Sequence, residues 1–136
     1  MWTDILNQLY EYSNLMLEIR EDPSLPIPAL SILETNMFGV NKPLVILNPT
    51  MVPSDQSIAA HIMAHEYGHH FMEHVRTESI NLSPRELERC EVEADMFAAG
   101  FISKYDYDKM TIIGFIEAHD PAGSEQRKRI LVNGSP

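Results

Sequence analysis

The chain has 136 residues, of which 44% are apolar and 22% charged, a size and composition suited to one domain with its own core. Its 20 acidic against 10 basic residues leave a formal net charge of −10, which repels a phosphate backbone and argues against nucleic acid as a partner. Such a surface suits basic or neutral peptides, although simple solvation accounts for the charge equally well. No stretch approaches the ~18 apolar residues that span a membrane, so no membrane contact is expected. Residues 1–20 include Asp4, Glu11 and Glu18 and lack the basic start and unbroken apolar run of a secretory leader. Cys90 is the only cysteine, so no intrachain disulfide can form and a reducing compartment is compatible. The expectation is a cytoplasmic protein of one domain over residues 1–136; the sequence does not define an oligomeric state.

In chain order, Ile5, Leu6, Leu9, Tyr12, Leu15, Met16 and Ile19 recur at nearly helical spacing, which predicts an amphipathic helix over residues 2–20. Pro23, Pro26 and Pro28 end it in an extended linker. Two short strands are predicted at Ser31–Thr35 and Lys42–Leu47, with Asn36 to Asn41, including Gly39, turning the chain between them. A helix follows from an N-cap near Ser54 to about Val75. Ser83-Pro84-Arg85-Glu86 then combines a capping-box pair with proline at the first helical position, which predicts a second long helix to about Ser103. Further helices are predicted over 106–118 and 124–132, and the fold class is α+β, mainly helical with a small sheet.

His65-Glu66-Tyr67-Gly68-His69 reads H-E-x-x-H on the first long helix. Residues four apart on a helix are separated by about 40° of rotation and about 6 Å of rise. Two imidazoles so placed converge on one tetrahedral zinc ion, and the intervening Glu66 reaches a metal-bound water rather than the metal. Six histidines and 13 glutamates produce the pattern in roughly 2% of shuffled sequences, so context has to decide. Ile58, Ile62, Met63, Tyr67, Phe71, Met72 and Val75 cover nearly all faces of the helix, which makes it central and buried. His65 and His69 lie on the side of Ile58 and Ile62, and interior imidazoles need partners that a metal supplies.

The second long helix carries Glu91-Val92-Glu93-Ala94-Asp95. At 100° per residue, Leu87, Cys90, Ala94, Phe97, Ala98, Phe101 and Ile102 form one broad stripe with Glu91 and Asp95 in its middle. Two carboxylates inside an apolar face need compensation. Glu91 as third metal ligand provides it, and Asp95 is placed to accept a hydrogen bond from the outer N–H of a ligand histidine. Two histidines and a carboxylate leave a fourth position for water, whereas a closed structural site uses four protein ligands, mostly cysteines. Cys90 is expected to be a small buried apolar residue.

The stretch Ala64-His65-Glu66-Tyr67-Gly68-His69-His70-Phe71, followed 22 residues after His69 by Glu91-Val92-Glu93-Ala94-Asp95-Met96-Phe97-Ala98-Ala99, resembles the gluzincin metallopeptidases of the ImmA/IrrE family. The second segment is also similar to the E-x-x-A-D helix of the HtpX-like and neutral zinc metallopeptidases. His119-Asp120-Pro121, with Arg127 beyond it, loosely resembles a later segment of those families. The similarity is strong from His61 to Ile102. It implies a zincin-like domain, zinc on His65, His69 and Glu91, and peptide-bond hydrolysis with Glu66 as base. It further implies a cytoplasmic protein that cleaves a specific protein such as a repressor. Asp95 stands where that family often has Asn.

In the expected reaction, zinc acidifies its water and polarises the scissile carbonyl, while Glu66 takes the proton and passes it to the leaving amine. His119, Tyr105, Tyr107 and Arg127 are the residues considered for stabilising the oxyanion, with His119 preferred as catalytic. His61, one turn before His65, is placed on the side of the cleft, whereas His70 and His74 fall on the polar, outer side. Lys42–Leu47 is either the edge strand that pairs with an extended substrate or an ordinary core strand. The first helix is expected to pack on the core rather than cover the cleft. The rival function is a non-catalytic zinc-binding interaction module, against which the presence of Glu66 counts. A phosphodiesterase or nuclease site fits poorly, because such sites use carboxylate-rich shells for Mg²⁺ or Mn²⁺.

Overall fold

A computed structural model of the chain describes residues 2–75 and 82–136, and the fold is α+β. The first helix, α1 (Trp2–Ser13), is shorter than its apolar spacing predicts. Asn14 adopts φ 59°, and the Ser13 hydroxyl donates back to the Leu9 carbonyl at 2.6 Å, so the helix stops there. The chain then extends into β1 (Glu18–Glu21), a strand where the apolar spacing predicts continued helix. The cause is tertiary: β1 pairs in parallel with β3 (Asn41–Leu47), from Glu18 opposite Leu44 to Glu21 opposite Leu47.

β2 (Ala29–Thr35) and β3 form the expected hairpin, antiparallel from Ala29–Leu47 to Thr35–Asn41. Gly39, at φ 76°, and the Asn36 side chain, which accepts from Phe38 and Val40 N–H, close its turn. The strand order is β1-β3-β2, so β3 is the central strand. That corrects one of the two readings offered for Lys42–Leu47: the edges of this sheet are β1 and β2. Leu44, Val45 and Leu47 are buried accordingly.

Helix α2 (Gln56–Phe71) is capped by Asp55, one residue beyond the expected Ser54, with its carboxylate accepting from Ser57 and Ile58 N–H. Ala59, Ala60, Met63, Ala64, Tyr67 and Gly68 are all buried, so the helix is enclosed on most sides as its all-round apolarity requires. Helix α3 (Pro84–Lys104) begins with the predicted Ser83–Glu86 capping box. Helices α4 (Lys109–His119), capped by Asp108, and α5 (Ser124–Asn133), ended by Gly134 at φ 80°, complete the chain. The core draws Ile5 and Leu9 from α1, Val45 and Leu47 from β3, Ala98, Phe101 and Ile102 from α3, and Ile112, Ile116 and Leu131 from α4 and α5.

Two details set the geometry of the site. A Cβ on Gly68 would lie 3.0 Å from the Ala94 carbonyl oxygen and 3.1 Å from its Cα, so glycine and alanine let α2 and α3 touch. Helix α2 also ends at Phe71 instead of running to Val75. Glu73 takes φ 58°, its N–H bonds to the His70 carbonyl, and the His74 N–H bonds to the His69 carbonyl at 2.9 Å. That pair of bonds is the Schellman ending, and it folds His74 back over the last turn.

Candidate metal centre

His65 and His69, one turn apart on α2, direct their Nε2 atoms to the same point, 3.1 Å from one another. Glu91 reaches that point from α3, with Oε2 3.0 Å from His65 Nε2 and Oε1 3.3 Å from His69 Nε2. The edges of a tetrahedral zinc shell with bonds of about 2.0 Å are about 3.3 Å, so this donor set suits such an ion in both chemistry and size. His65, His69 and Glu91 are the one group of this kind among the described residues.

Each histidine is held from behind. His65 Nδ1 donates to Asp95 Oδ1 at 2.8 Å, the arrangement expected for Asp95. Asp95 in turn accepts from Arg127 of α5, Nε to Oδ2 at 2.8 Å and Nη2 to Oδ1 at 3.1 Å. Burial opposes a charge on His65, but the Asp95 and Glu91 carboxylates outweigh it and push the imidazole up to about 10 without metal. Glu91 is held well below the usual carboxylate range by His65 and His69. For Asp95, burial works against the charge, and hydrogen bonds from His65 and Arg127 overcome it and lower its pKa.

Glu91 differs from expectation in one respect. Its side chain is 62% exposed, although the stripe on α3 placed it in a buried face. The N-terminal part of that stripe, with Leu87 exposed as well, borders an open cleft rather than a packed neighbour. The cleft measures about 420 Å³ and is lined by the cluster and Glu66, by Ala29, Leu30 and Ser31 of β2, and by Val75 and Leu82. Buried Cys90 contributes one wall. Ser31, unsuspected from the sequence, donates its hydroxyl to Glu66 Oε2 at 2.5 Å.

The remaining histidines separate cleanly. His61 is buried and lines a side pocket of about 150 Å³ with His65, Glu66, Phe115 and Arg127 rather than the cleft on which its side of α2 would place it, and burial lowers its pKa to about 3. His70 and His74 are not surface residues. His70 Nε2 donates to the Leu44 carbonyl of β3 at 3.0 Å, and burial lowers its pKa. His74 lies against His69, and its Nε2 is 3.3 Å from Glu93 Oε1.

None of the residues considered for the oxyanion stands free in the cleft. His119, preferred for catalysis, lies exposed at the end of α4, where its Nδ1 donates to the Phe115 carbonyl at 3.0 Å and its ring stacks on Phe115. Tyr105 and Tyr107 belong to an aromatic group with Tyr12 and Phe101, and the Tyr107 hydroxyl bonds Gln8 of α1. Arg127 is committed to Asp95. Helix α1 lines none of this cleft. Among the described residues, no helix is long and apolar enough to cross a membrane. Comparisons of the chain with family profiles, curated proteins and solved structures return no match.

Proposed function

We propose that the chain is a zinc-dependent peptidase of minimal zincin-like build that hydrolyses peptide bonds in a protein or peptide substrate. The convergence of His65, His69 and Glu91 from two helices, with Glu66 in the same cleft, carries this reading. When bound there, zinc supplies an acidified water and a polarised carbonyl. Glu66, the next residue after His65, receives the water's proton and returns it to the leaving amine. The Ser31 hydroxyl holds Glu66 Oε2, and no described residue bonds to Oε1, which is left for the proton. The outer edge of β2 borders the cleft at Ala29–Ser31 and offers its backbone to an extended peptide as an added strand. The motifs shared with the ImmA/IrrE family favour one specific protein substrate, such as a repressor, over general digestion.

The test compares zinc-loaded wild type with Glu66→Gln on a peptide library derived from a whole proteome, reading cleavage sites by mass spectrometry. The variant is expected to keep its zinc and lose at least about 100-fold in cleavage rate. Equal cleavage by both proteins removes Glu66 from the role of base. Full biological activity of Glu66→Gln supports the interaction module instead.

A further inference from the structure

We propose that His74 is a positioning residue for His69, backed by Glu93, so that a Glu93–His74–His69 relay fixes the tautomer and aim of the second metal-binding histidine. The inference rests on the metal reading above for its purpose, and on hydrogen-bond geometry for its existence.

To offer a lone pair from Nε2, a neutral His69 must carry its proton on Nδ1. His69 Nδ1 lies 3.0 Å from His74 Nδ1. Two imidazole nitrogens bond at that distance only when one carries hydrogen and the other a lone pair, so His74 Nδ1 accepts. The proton of neutral His74 is then on Nε2, which faces Glu93 Oε1 at 3.3 Å. Every ring nitrogen has one role, and the assignments agree along the chain of bonds. His74 is not a fourth ligand, because it meets His69 on the nitrogen opposite the one that faces His65 and Glu91.

The backbone builds this contact deliberately in the local sense. The left-handed turn at Glu73 and the His74 N–H bond to the His69 carbonyl bring the imidazole back over His69, and its side chain is left only 8% exposed. Val75, the next residue, walls the cleft. The relay therefore holds a ligand histidine and the start of one cleft wall through the same side chain.

The experiment has two arms on the full chain. Proton–nitrogen correlation spectra of the imidazoles in zinc-loaded wild type, at mildly alkaline pH, read the tautomers directly. The expected result is hydrogen on Nδ1 of His69 and on Nε2 of His74; hydrogen on Nδ1 of His74 overturns the relay. Zinc affinity by chelator competition, with cobalt absorption spectra beside it, then compares His74→Phe with His74→Asn. The Phe variant is expected to bind about 10–100-fold more weakly and to shift the cobalt bands. Asn, whose Oδ1 stands in for the imidazole Nδ1 as acceptor, is expected to restore most of both. Wild-type affinity and spectrum in the Phe variant overturn the positioning role. Absence of zinc binding by wild type defeats the metal reading itself, whereas zinc binding with hydrogen on Nδ1 of His74 defeats only the relay.

Discussion

The two histidines of the centre are supported by unlike devices. Behind His65 stands an ionic pair, Asp95 with Arg127, that joins α2, α3 and α5; the Asp95 side chain is 7% exposed. Behind His69 stands a second imidazole and then Glu93, which is 29% exposed and joins only the end of α2 to α3. The first arm involves charges removed from water, so its loss reaches beyond the site to the fold. The second arm is built from a neutral ring and directional bonds, so its loss is confined to aim. One centre thus combines an arm tied to stability with an arm tied to geometry.

The comparison breaks most readily at Asp95. Asp95→Ala strands the Arg127 guanidinium and removes the His65 acceptor, and is expected to lower stability by about 3–5 kcal/mol in chemical denaturation. Glu93→Gln, on the other arm, is expected to cost less than about 1 kcal/mol. Equal losses would erase the distinction.

The pH dependence sharpens it next. The folded pKa of His65 is raised from 6.5 to about 10, so its contribution to the metal-free fold is complete below the unfolded value and is lost as pH rises through about 10. Zinc binding at His65 would displace that proton. Its apparent affinity is therefore expected to rise about tenfold per pH unit within this window, with about one proton released per ion in calorimetry across buffers. Asp95→Ala should flatten the slope.

A further effect is common to both arms. Gly68→Ala gains helix propensity but drives a methyl into the Ala94 backbone. A net loss of about 1–3 kcal/mol is expected, with zinc affinity reduced because α3 carries Glu91, Glu93 and Asp95 together away from α2.

Much of this centre was legible in the sequence because it is helical. The four-residue spacing of His65 and His69, the Ser83–Glu86 capping box and the interval from Glu91 to Asp95 each act within one helix, where period alone fixes direction. Legibility failed where the chain leaves its period. Leu15, Met16 and Ile19 continue the spacing of α1, but the turn at Asn14 and pairing with β3, distant in sequence, make Glu18–Glu21 a strand. Helical spacing continued past the end of α2 points His74 outward, and the left-handed Glu73 reverses that direction. The Ser31 contact with Glu66 depends on how β2 docks against α2, for which a lone serine in a strand carries no signal. Only motif context points to His119, and its Nδ1 is taken by the carbonyl one turn back.

The most direct test of the central claim is the zinc content of purified protein by elemental analysis, with wild type beside His65→Ala and Glu91→Ala. About one zinc per chain in wild type, lost or much weakened in both variants, is the expected result. Wild type that carries no zinc when fresh and takes up none on titration would contradict the metal centre and the peptidase reading with it.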